Sequence, residues 1–138
     1  MALGTIEQDR PRQEVRRLRT KTRSLKAVDK ARAAVEAASE KQASDIVLLD
    51  LRDACDFTDC FVICTAESVP QIEAIVEDVE RALKDIGAPL HHREGASDSG
   101  WVLLDFNDVV VHVFAPVERE YYQLDRVWSA GKPLVRIQ

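Results

Sequence analysis

The stretch that decides the fold is WVLLDFNDVVVHVF, residues 101–114. It predicts two strands joined by a tight turn at Asn107-Asp108, because Asn and Asp tolerate the positive backbone angles that a two-residue hairpin loop needs. The expected cross-strand pairs are Phe106 with Val109, Asp105 with Val110, Leu103 with His112, and Trp101 with Phe114.

Side chains alternate between the two faces of a strand, so this hairpin has two different faces. The first is wholly apolar and must lie on a core; it consists of Val102, Leu104, Phe106, Val109, Val111 and Val113. The second consists of Trp101, Leu103, Asp105, Val110, His112 and Phe114. A solvated face would be more polar, and a core face would hardly hold Asp and His together. The mixture predicts a surface that docks onto a partner.

The bulk properties indicate one globular domain without a membrane segment. The chain has 138 residues, of which 46% are hydrophobic, and no apolar run approaches the roughly 20 residues needed to span a bilayer. No apolar block follows the positive charges near the N-terminus, so no secretory signal is predicted. Three cysteines at irregular spacing are typical of a reduced compartment, so a cytoplasmic location is expected.

The net charge of −5 hides a strong asymmetry along the chain. Residues 1–32 hold ten Lys or Arg against four acids, and residues 33–138 hold nine against twenty. An acidic body is a poor direct ligand for nucleic acid, whose binding depends on neutralising phosphates. It suits a basic partner protein, and electrostatic steering would favour that encounter.

The chain divides into an arm, a body and a tail. Residues 1–23 are rich in Arg without a core pattern and are expected to form a mobile basic arm. The body is expected over residues 24–128. Residues 129–138 contain Gly131 and Pro133 and are expected to be irregular.

Hydrophobic periodicity predicts the element order αββαβββα, an α/β or α+β domain with a mixed sheet. Helices are expected over residues 24–42, after Ser68 and over 117–128, and strands over 45–51, 60–65 and 90–94 besides the hairpin. The nearly continuous apolar run of 60–65 indicates a central strand. Ser68 and Gln71 form a capping box for the second helix, and Gly87 ends it.

Catalytic and metal-binding patterns are weak. Cys60 and Cys64 share a strand face, but no Cys-x-x-Cys pair accompanies them, and buried cysteines are commonly just small hydrophobes. Cys60 with His112 would need a third orienting group to act as a nucleophile pair. No glycine-rich turn leads into a helix. Asp50 and Asp53 are three apart and would point to opposite faces, unlike paired metal-binding carboxylates. We therefore expect no cofactor and no metal.

The pattern as a whole resembles the Iojap family, also called the ribosomal silencing factor RsfS. The resemblance covers residues 25–128 and rests on an ordered set of segments: DIVLLDL at 45–51, TDCFVIC at 58–64, QIEAI at 71–75, REG at 93–95, GWVLLDF at 100–106, DVVVHVF at 108–114 and REYYQLDRVW at 119–128. The chain departs from the family pattern in its basic arm and in the turn Glu67-Ser68-Val69-Pro70.

This resemblance implies a fold related to nucleotidyltransferases that lacks their catalytic motif. It also implies binding to protein number fourteen of the large ribosomal subunit, which would block subunit association and repress translation. Organelle relatives act in ribosome assembly, and homodimers occur in the family. The resemblance also leaves open a large-subunit assembly factor. Rival interpretations of the residues are a nucleotidyltransferase-like enzyme and a module that associates with itself.

We expect a non-enzymatic repressor whose sheet face docks on a basic ribosomal protein. The candidate binding residues are Trp101, Leu103, Asp105, Asp108, His112 and Tyr121. Trp101 would be the desolvated anchor. Asp105 and Asp108 would pair with Lys or Arg of the partner. His112 would orient a carboxylate or donate to the partner, although a satisfied buried histidine is an equally open interpretation.

Overall fold

The structure, a computed structural model, describes residues 27–127 and 131–138. Its elements are α1 (described over 27–40), β1 (Ser44–Asp50), β2 (Cys60–Thr65), α2 (Val69–Asp85), β3 (His92–Glu94), a 3-10 turn (Ser97–Ser99), β4 (Trp101–Asp105), β5 (Val109–Phe114), α3 (Pro116–Tyr122), α4 (Leu124–Val127) and β6 (Lys132–Ile137). The predicted order αββαβββα is confirmed, with two additions at its end. The predicted arm lies outside the described residues. None of the described helices is long and apolar enough to cross a membrane.

The six strands form one mixed sheet in the order β3-β4-β5-β2-β1-β6. β2 and β5 are parallel, and the other neighbours are antiparallel. Both central strands are buried along their whole length. The prediction that 60–65 is a central strand is confirmed, because an apolar run of this kind can be buried on both faces.

The prediction of an irregular tail was wrong. Residues Lys132–Ile137 form β6, which pairs antiparallel with β1. Gly131 and Pro133 suggested a break in regular structure, but an edge strand tolerates proline because its outward N–H needs no partner. A register shift between Leu48 and Leu49 accommodates β6 next to Pro133. The folded body therefore extends beyond residue 128.

The parallel pair depends on α2, which carries the chain from the end of β2 back across the sheet. The Ser68 hydroxyl accepts the Gln71 N–H at 3.2 Å, as the capping box requires. The Gln71 amide oxygen accepts the N–H of Glu67 at 2.7 Å, one residue before the expected partner. At the C-terminal end of α2, Gly87 has a φ of +85°, and the helix ends there as the sequence predicted.

The main core lies between the sheet and the helices α1 and α2. Its sheet side includes the predicted apolar face of the hairpin, and all six of those residues are 2% exposed or less. The cross-strand pairs are those expected from a two-residue loop, and the Phe106 N–H donates to the Val109 carbonyl at 2.8 Å. In the turn only Asn107 has a positive φ, of 78°. The hairpin prediction is confirmed at its main-chain register.

The helix predicted over 117–128 is interrupted. α3 ends at Tyr122, and Gln123 adopts a left-handed conformation with a φ of 48° before α4 begins. The guanidinium of Arg119 holds this region to the sheet. It donates to the Asp45 carbonyl and the Thr65 hydroxyl, both at 2.9 Å, and forms an ion pair with Asp125. The interruption lets one short segment present aromatic rings beside β4.

Candidate functional site

The sheet face opposite α1 and α2 carries a second, smaller apolar cluster. Its buried members are Val47, Leu49, Leu51, Phe61, Ile63, Val110 and Phe114. Cys55, Trp101, Leu103 and Leu124 pack against it and remain partly exposed. The predicted docking face is therefore mixed: its β5 residues are buried, whereas its three β4 residues are half-buried.

Seven rings form a continuous row across this face, which we call the aromatic row. Its members are Phe57, Phe61, His112, Phe114, Trp101, Tyr122 and Tyr121. Neighbouring ring centroids are 6.4 Å apart for Phe57–Phe61, 4.6 Å for Phe61–His112, 5.9 Å for His112–Trp101, 5.0 Å for Trp101–Phe114, 4.5 Å for Trp101–Tyr122 and 5.0 Å for Tyr121–Tyr122. Such spacings lie in the range of favourable aromatic contacts.

The row is buried in its middle and open at both ends. Phe61, His112 and Phe114 are buried, while Phe57 is 65% exposed and Tyr121 is 78% exposed. Large apolar rings at a protein surface are costly to leave in water and are enriched where proteins bind each other. The exposed ends and the half-buried Trp101 are the part of this face that a partner can cover.

Trp101 is fixed in place by contacts on several sides. Its indole N–H donates to Nδ1 of His112 at 3.2 Å, and its ring stacks on Phe114. Gly95, with a φ of +89°, lies so close that a Cβ there would collide with the Trp101 carbonyl oxygen. A ring held in this way loses little conformational entropy on binding, which favours an anchor role.

His112 is a buried neutral imidazole. Because Nδ1 accepts the indole N–H, the proton must reside on Nε2. Burial lowers the pKa of His112 to about 3. Nε2 is buried and has no hydrogen-bond acceptor among the described residues. The expected role of donating to a partner is not supported by this geometry, since the row covers that nitrogen. His112 instead positions Trp101.

The buried histidine predicts a specific pH dependence of stability. Between pH 6.5 and about 3 the unfolded chain binds a proton at His112 that the folded chain does not. The free energy of unfolding should therefore fall as pH falls, with this residue contributing up to about 1.4 kcal/mol per pH unit.

Urea titrations at pH 6.5, 5.5 and 4.5 measure this slope in the wild type and in His112→Phe. Carboxylates such as Asp50 and Asp125, whose hydrogen bonds to Arg52 and Arg119 lower their pKa values, also begin to contribute near pH 4.5, but they do so in both proteins, so the difference between the two slopes reports His112. The variant should show a shallower slope. Equal slopes in the two proteins would contradict a buried neutral His112.

Asp108, which was predicted to contact a partner, is buried and paired within the domain. Its carboxylate oxygens lie 3.0 and 3.2 Å from Nζ of Lys30 on α1, and its side chain is only 3% exposed. Its carbonyl accepts the N–H groups of Asp59 and Cys60. Asp108 joins the hairpin turn to α1 and β2, so its role is structural. Local sequence patterns could not predict this ion pair, because Lys30 lies 78 residues away from Asp108.

Removing this carboxylate should destabilise the fold. Asp108→Ala leaves the Lys30 ammonium partly buried without its partner, and such losses cost about 3–5 kcal/mol at fully buried pairs. Lys30 keeps some contact with water, so we expect about 2–3 kcal/mol by chemical denaturation. Asp105→Ala is the matched control and should cost about 1 kcal/mol or less. Equal losses of unfolding free energy in the two variants would contradict a stabilising role for the Lys30–Asp108 ion pair.

The other predicted site residues lie together on the open side of the face. Asp105 is half-buried, and its carboxylate accepts the Asn107 N–H at 2.7 Å. Leu103 is half-buried against the smaller cluster, and Tyr121 projects from α3. Trp101, Leu103, Asp105 and Tyr121 thus lie on the open side of this face. His112 is buried, and the buried Asp108 side chain contacts Lys30 on α1.

Two exposed members of the row, Phe57 and Tyr122, were not predicted from the sequence as binding residues. Tyr122 is 42% exposed and packs on Trp101. A helix predicted to start at Pro116, as α3 does, would have indicated which side of the helix Tyr122 occupies. Phe57 lies in the loop between β1 and β2 among acidic residues. A large ring in a polar loop is the signal that could have identified it.

The hypothetical nucleophile pair is excluded by the sheet. Cys60 faces the main core, whereas His112 lies on the opposite face. Burial raises the pKa of Cys60 and of Cys64 to about 12, so both remain thiols near neutral pH. Within 27–127 and 131–138, no group of three or more His, Cys, Asp or Glu side chains is arranged to hold a metal ion.

Comparison with known proteins gives a consistent family. The family model described as "Ribosomal silencing factor during starvation", RsfS, matches residues 24–138. An RsfS protein of Halalkalibacterium halodurans is 37% identical over 105 residues, covering 76% of this chain and 89% of the relative. A more distant relative is the mouse "Mitochondrial assembly of ribosomal large subunit protein 1", 28% identical over 93 residues, which cover 65% of this chain and 41% of that protein.

A solved structure agrees with this result. The crystal structure of a Chromobacterium violaceum protein superposes with a TM-score of 0.70 at 32% identity, covering 76% of this chain and 88% of the other. The mixed α+β architecture is therefore shared with a solved relative, and sequence and fold point to the same family.

Proposed function

The chain belongs to the ribosomal silencing factor family RsfS, and we propose that it represses translation by docking the open part of its aromatic row on the large ribosomal subunit. The partner would be the basic protein number fourteen at the joining surface. Occupying that surface would prevent the small subunit from associating. Membership in the family implies ribosome-associated regulation, and the finer steps are our proposal.

The observation that carries the proposal is the exposure of ordered aromatic rings on one sheet face. Trp101 is half-buried and rigidly held, and Tyr121 and Tyr122 beside it are exposed. Rigid aromatic side chains surrounded by polar groups are the usual anchors of protein interfaces. The opposite sheet face is covered by α1 and α2, and the ring that the hairpin places there, Phe106, is buried.

Charge supports a basic partner. Residues 33–138 hold twenty acids against nine Lys or Arg. Asp105 lies on the docking side, and Glu118 and Glu120 lie on α3 beside the tyrosines. An acidic surface attracts a basic ribosomal protein and repels the phosphates of ribosomal RNA, which favours protein over nucleic acid as the direct contact.

The proposed mechanism is steric and requires no chemical step. In this proposal the bound chain, of 15.5 kDa, obstructs the joining surface between the two subunits by its bulk. We propose that the chain acts without catalysis, and in the cytoplasm where ribosomes translate. The buried thiols and the separation of Cys60 from His112 are consistent with a binding role.

Sedimentation with purified ribosomal subunits tests this function. The full chain should co-sediment with the isolated large subunit and not with the small one. Binding should saturate near one copy per large subunit. Equal retention by both subunits, or none by either, would contradict the proposal.

Reversing one charge on the docking side should weaken this binding in a salt-dependent way. Asp105→Lys places a cation against a basic partner, and the loss should be larger at low salt because screening softens like-charge repulsion. Glu77→Lys on the helix-covered side makes the same charge change away from the row. A titration at two salt concentrations should separate them. Equal effects would indicate only a general field effect.

A second candidate function is assembly of the large subunit. The name of the mouse relative favours it. Both functions use the same docking, but they differ in cells that lack the chain. An assembly role predicts accumulation of immature large subunits, whereas silencing predicts normal subunits and excess translation during starvation.

A further inference from the structure

The loop between β1 and β2, residues 51–59, places an exposed ring at the end of the aromatic row farthest from Tyr121. Phe57 in this loop is 65% exposed. Its ring lies 6.4 Å from Phe61, whose own ring meets the buried His112 at 4.6 Å. Phe57 is thus linked to Trp101 through the buried rings of Phe61 and His112 and is not an isolated surface residue.

The loop is held at both of its ends. Leu51 is buried, its N–H donates to the Asp59 carbonyl at 2.8 Å, and its carbonyl accepts the N–H groups of Ala54 and Cys55, both at 2.9 Å. The Thr58 hydroxyl donates to the Cys60 carbonyl. A ring presented from such a loop pays a reduced entropy cost when a partner covers it.

The surroundings of Phe57 indicate the chemistry of that partner. Asp53 and Asp56 are both exposed in the same loop, while the guanidinium of Arg52 is held by Asp50. Nζ of Lys132 lies 3.6 Å from the Asp53 carboxylate, and no ion pair is described for Asp56 among residues 27–127 and 131–138. A symmetric contact between two copies would bring equal acidic patches together, because the same surface faces itself across a two-fold axis. A basic protein surface avoids this repulsion.

The strand order sets the width of the contact. Phe61 lies on β2, His112 on β5 and Trp101 on β4, three neighbours in the sheet. Strands about 4.8 Å apart put the two outer rings on the order of 10 Å from each other, before the exposed ends are added. A partner patch of ordinary size, about 800 Å², can cover this length.

We propose that Phe57 is a second docking anchor, which inserts into an apolar notch on the basic partner while Trp101, Tyr121 and Tyr122 occupy the other end. The proposal rests on the proposed function. Two separated anchors fix the orientation of the domain on the partner, so that it projects in one direction across the joining surface. A single anchor would leave the domain free to rotate about that contact.

The test compares full-length variants in binding to isolated large subunits. Phe57→Ser should weaken binding about tenfold, within the range of interface anchors. Ile86→Ser is the matched control, since Ile86 is an exposed apolar residue at the end of α2 on the helix-covered side. It should bind like the wild type. Phe57→Trp keeps a large ring and should retain most of the affinity, which separates loss of the anchor from a change in the loop.

The outcomes distinguish this inference from the function on which it rests. If the wild type does not bind the large subunit, the proposed function fails. If Trp101→Ala binds weakly while Phe57→Ser binds normally, the function stands and the second anchor is wrong. If light scattering shows a dimer that Phe57→Ser dissociates, with subunit binding unchanged, the occupant is a second copy and the inference is overturned.

Discussion

Val111→Asp is expected to abolish the cooperative thermal unfolding of the domain. Val111 is fully buried in the middle of β5, paired with Val62 on one side and Leu104 on the other. A carboxylate there would face the main core without a partner, at a cost of several kcal/mol. Small domains have only about 5–15 kcal/mol of stability to lose. Calorimetry and circular dichroism on the same samples measure the effect.

Val117→Asp provides the control. This variant makes the same Val-to-Asp substitution on α3, where the Val117 side chain is 75% exposed. The free energy of unfolding of this variant should remain within about 0.5 kcal/mol of the wild-type value, as is usual for surface substitutions. A cooperative melt of Val111→Asp near the wild-type temperature would contradict the placement of this face on the main core.

Trp101→Ala is expected to have the largest effect on binding. Loss of a central aromatic anchor should weaken docking on the large subunit by about 2 kcal/mol or more, roughly 30-fold. The free domain should still fold, because Trp101 is half-buried and the main core lies on the other side of the sheet. Lost stacking on Phe114 and the lost hydrogen bond to His112 should cost about 1–3 kcal/mol of stability, less than for a fully buried tryptophan.

Trp101→Phe helps to separate these two contributions. It keeps an aromatic ring over Phe114 and removes only the indole N–H and part of the ring. Binding should fall less than in Trp101→Ala. If Trp101→Ala unfolds the domain as severely as Val111→Asp does, both faces of the hairpin are core and the docking surface is placed wrongly.

The parts of the fold that the sequence predicted well depend on local rules. The hairpin register follows from strand alternation and from a turn at Asn107, and both operate within a few residues. The start and end of α2 follow from Ser68 and Gly87 in the same way. These signals need no knowledge of distant contacts, which explains why they agree with the structure.

The parts that failed depend on contacts distant in sequence or on exact positions within a surface. Asp108 meets Lys30 across 78 residues, and its hairpin position alone suggested exposure. β6 required knowledge that β1 leaves an edge free to pair. Burial of His112 depends on rings from β2 and β4 that close over it. A face pattern alone identifies which side chains share a surface, but not how deeply each is covered.

The contrast between Asp105 and Asp108 shows how far a candidate site can be derived. Both are acids near the same turn, and both were predicted from the sequence to pair with Lys or Arg of the partner. Asp105 belongs to the second face by alternation and is half-buried there. Asp108 lies within the turn, where alternation ends, so its direction was set by α1 packing against the sheet. Assignment by alternation is sound only within a strand.

The most direct test of the central claim is a subunit-joining measurement. Large and small subunits are mixed at a magnesium concentration that allows joining, and the joined fraction is followed by sedimentation as the full chain is added. We predict that the wild type lowers the joined fraction while remaining bound to the free large subunit, and that Trp101→Ala needs roughly 30-fold more protein for the same effect. An unchanged joined fraction with the wild type, or equal inhibition by Trp101→Ala, would contradict silencing through the aromatic row.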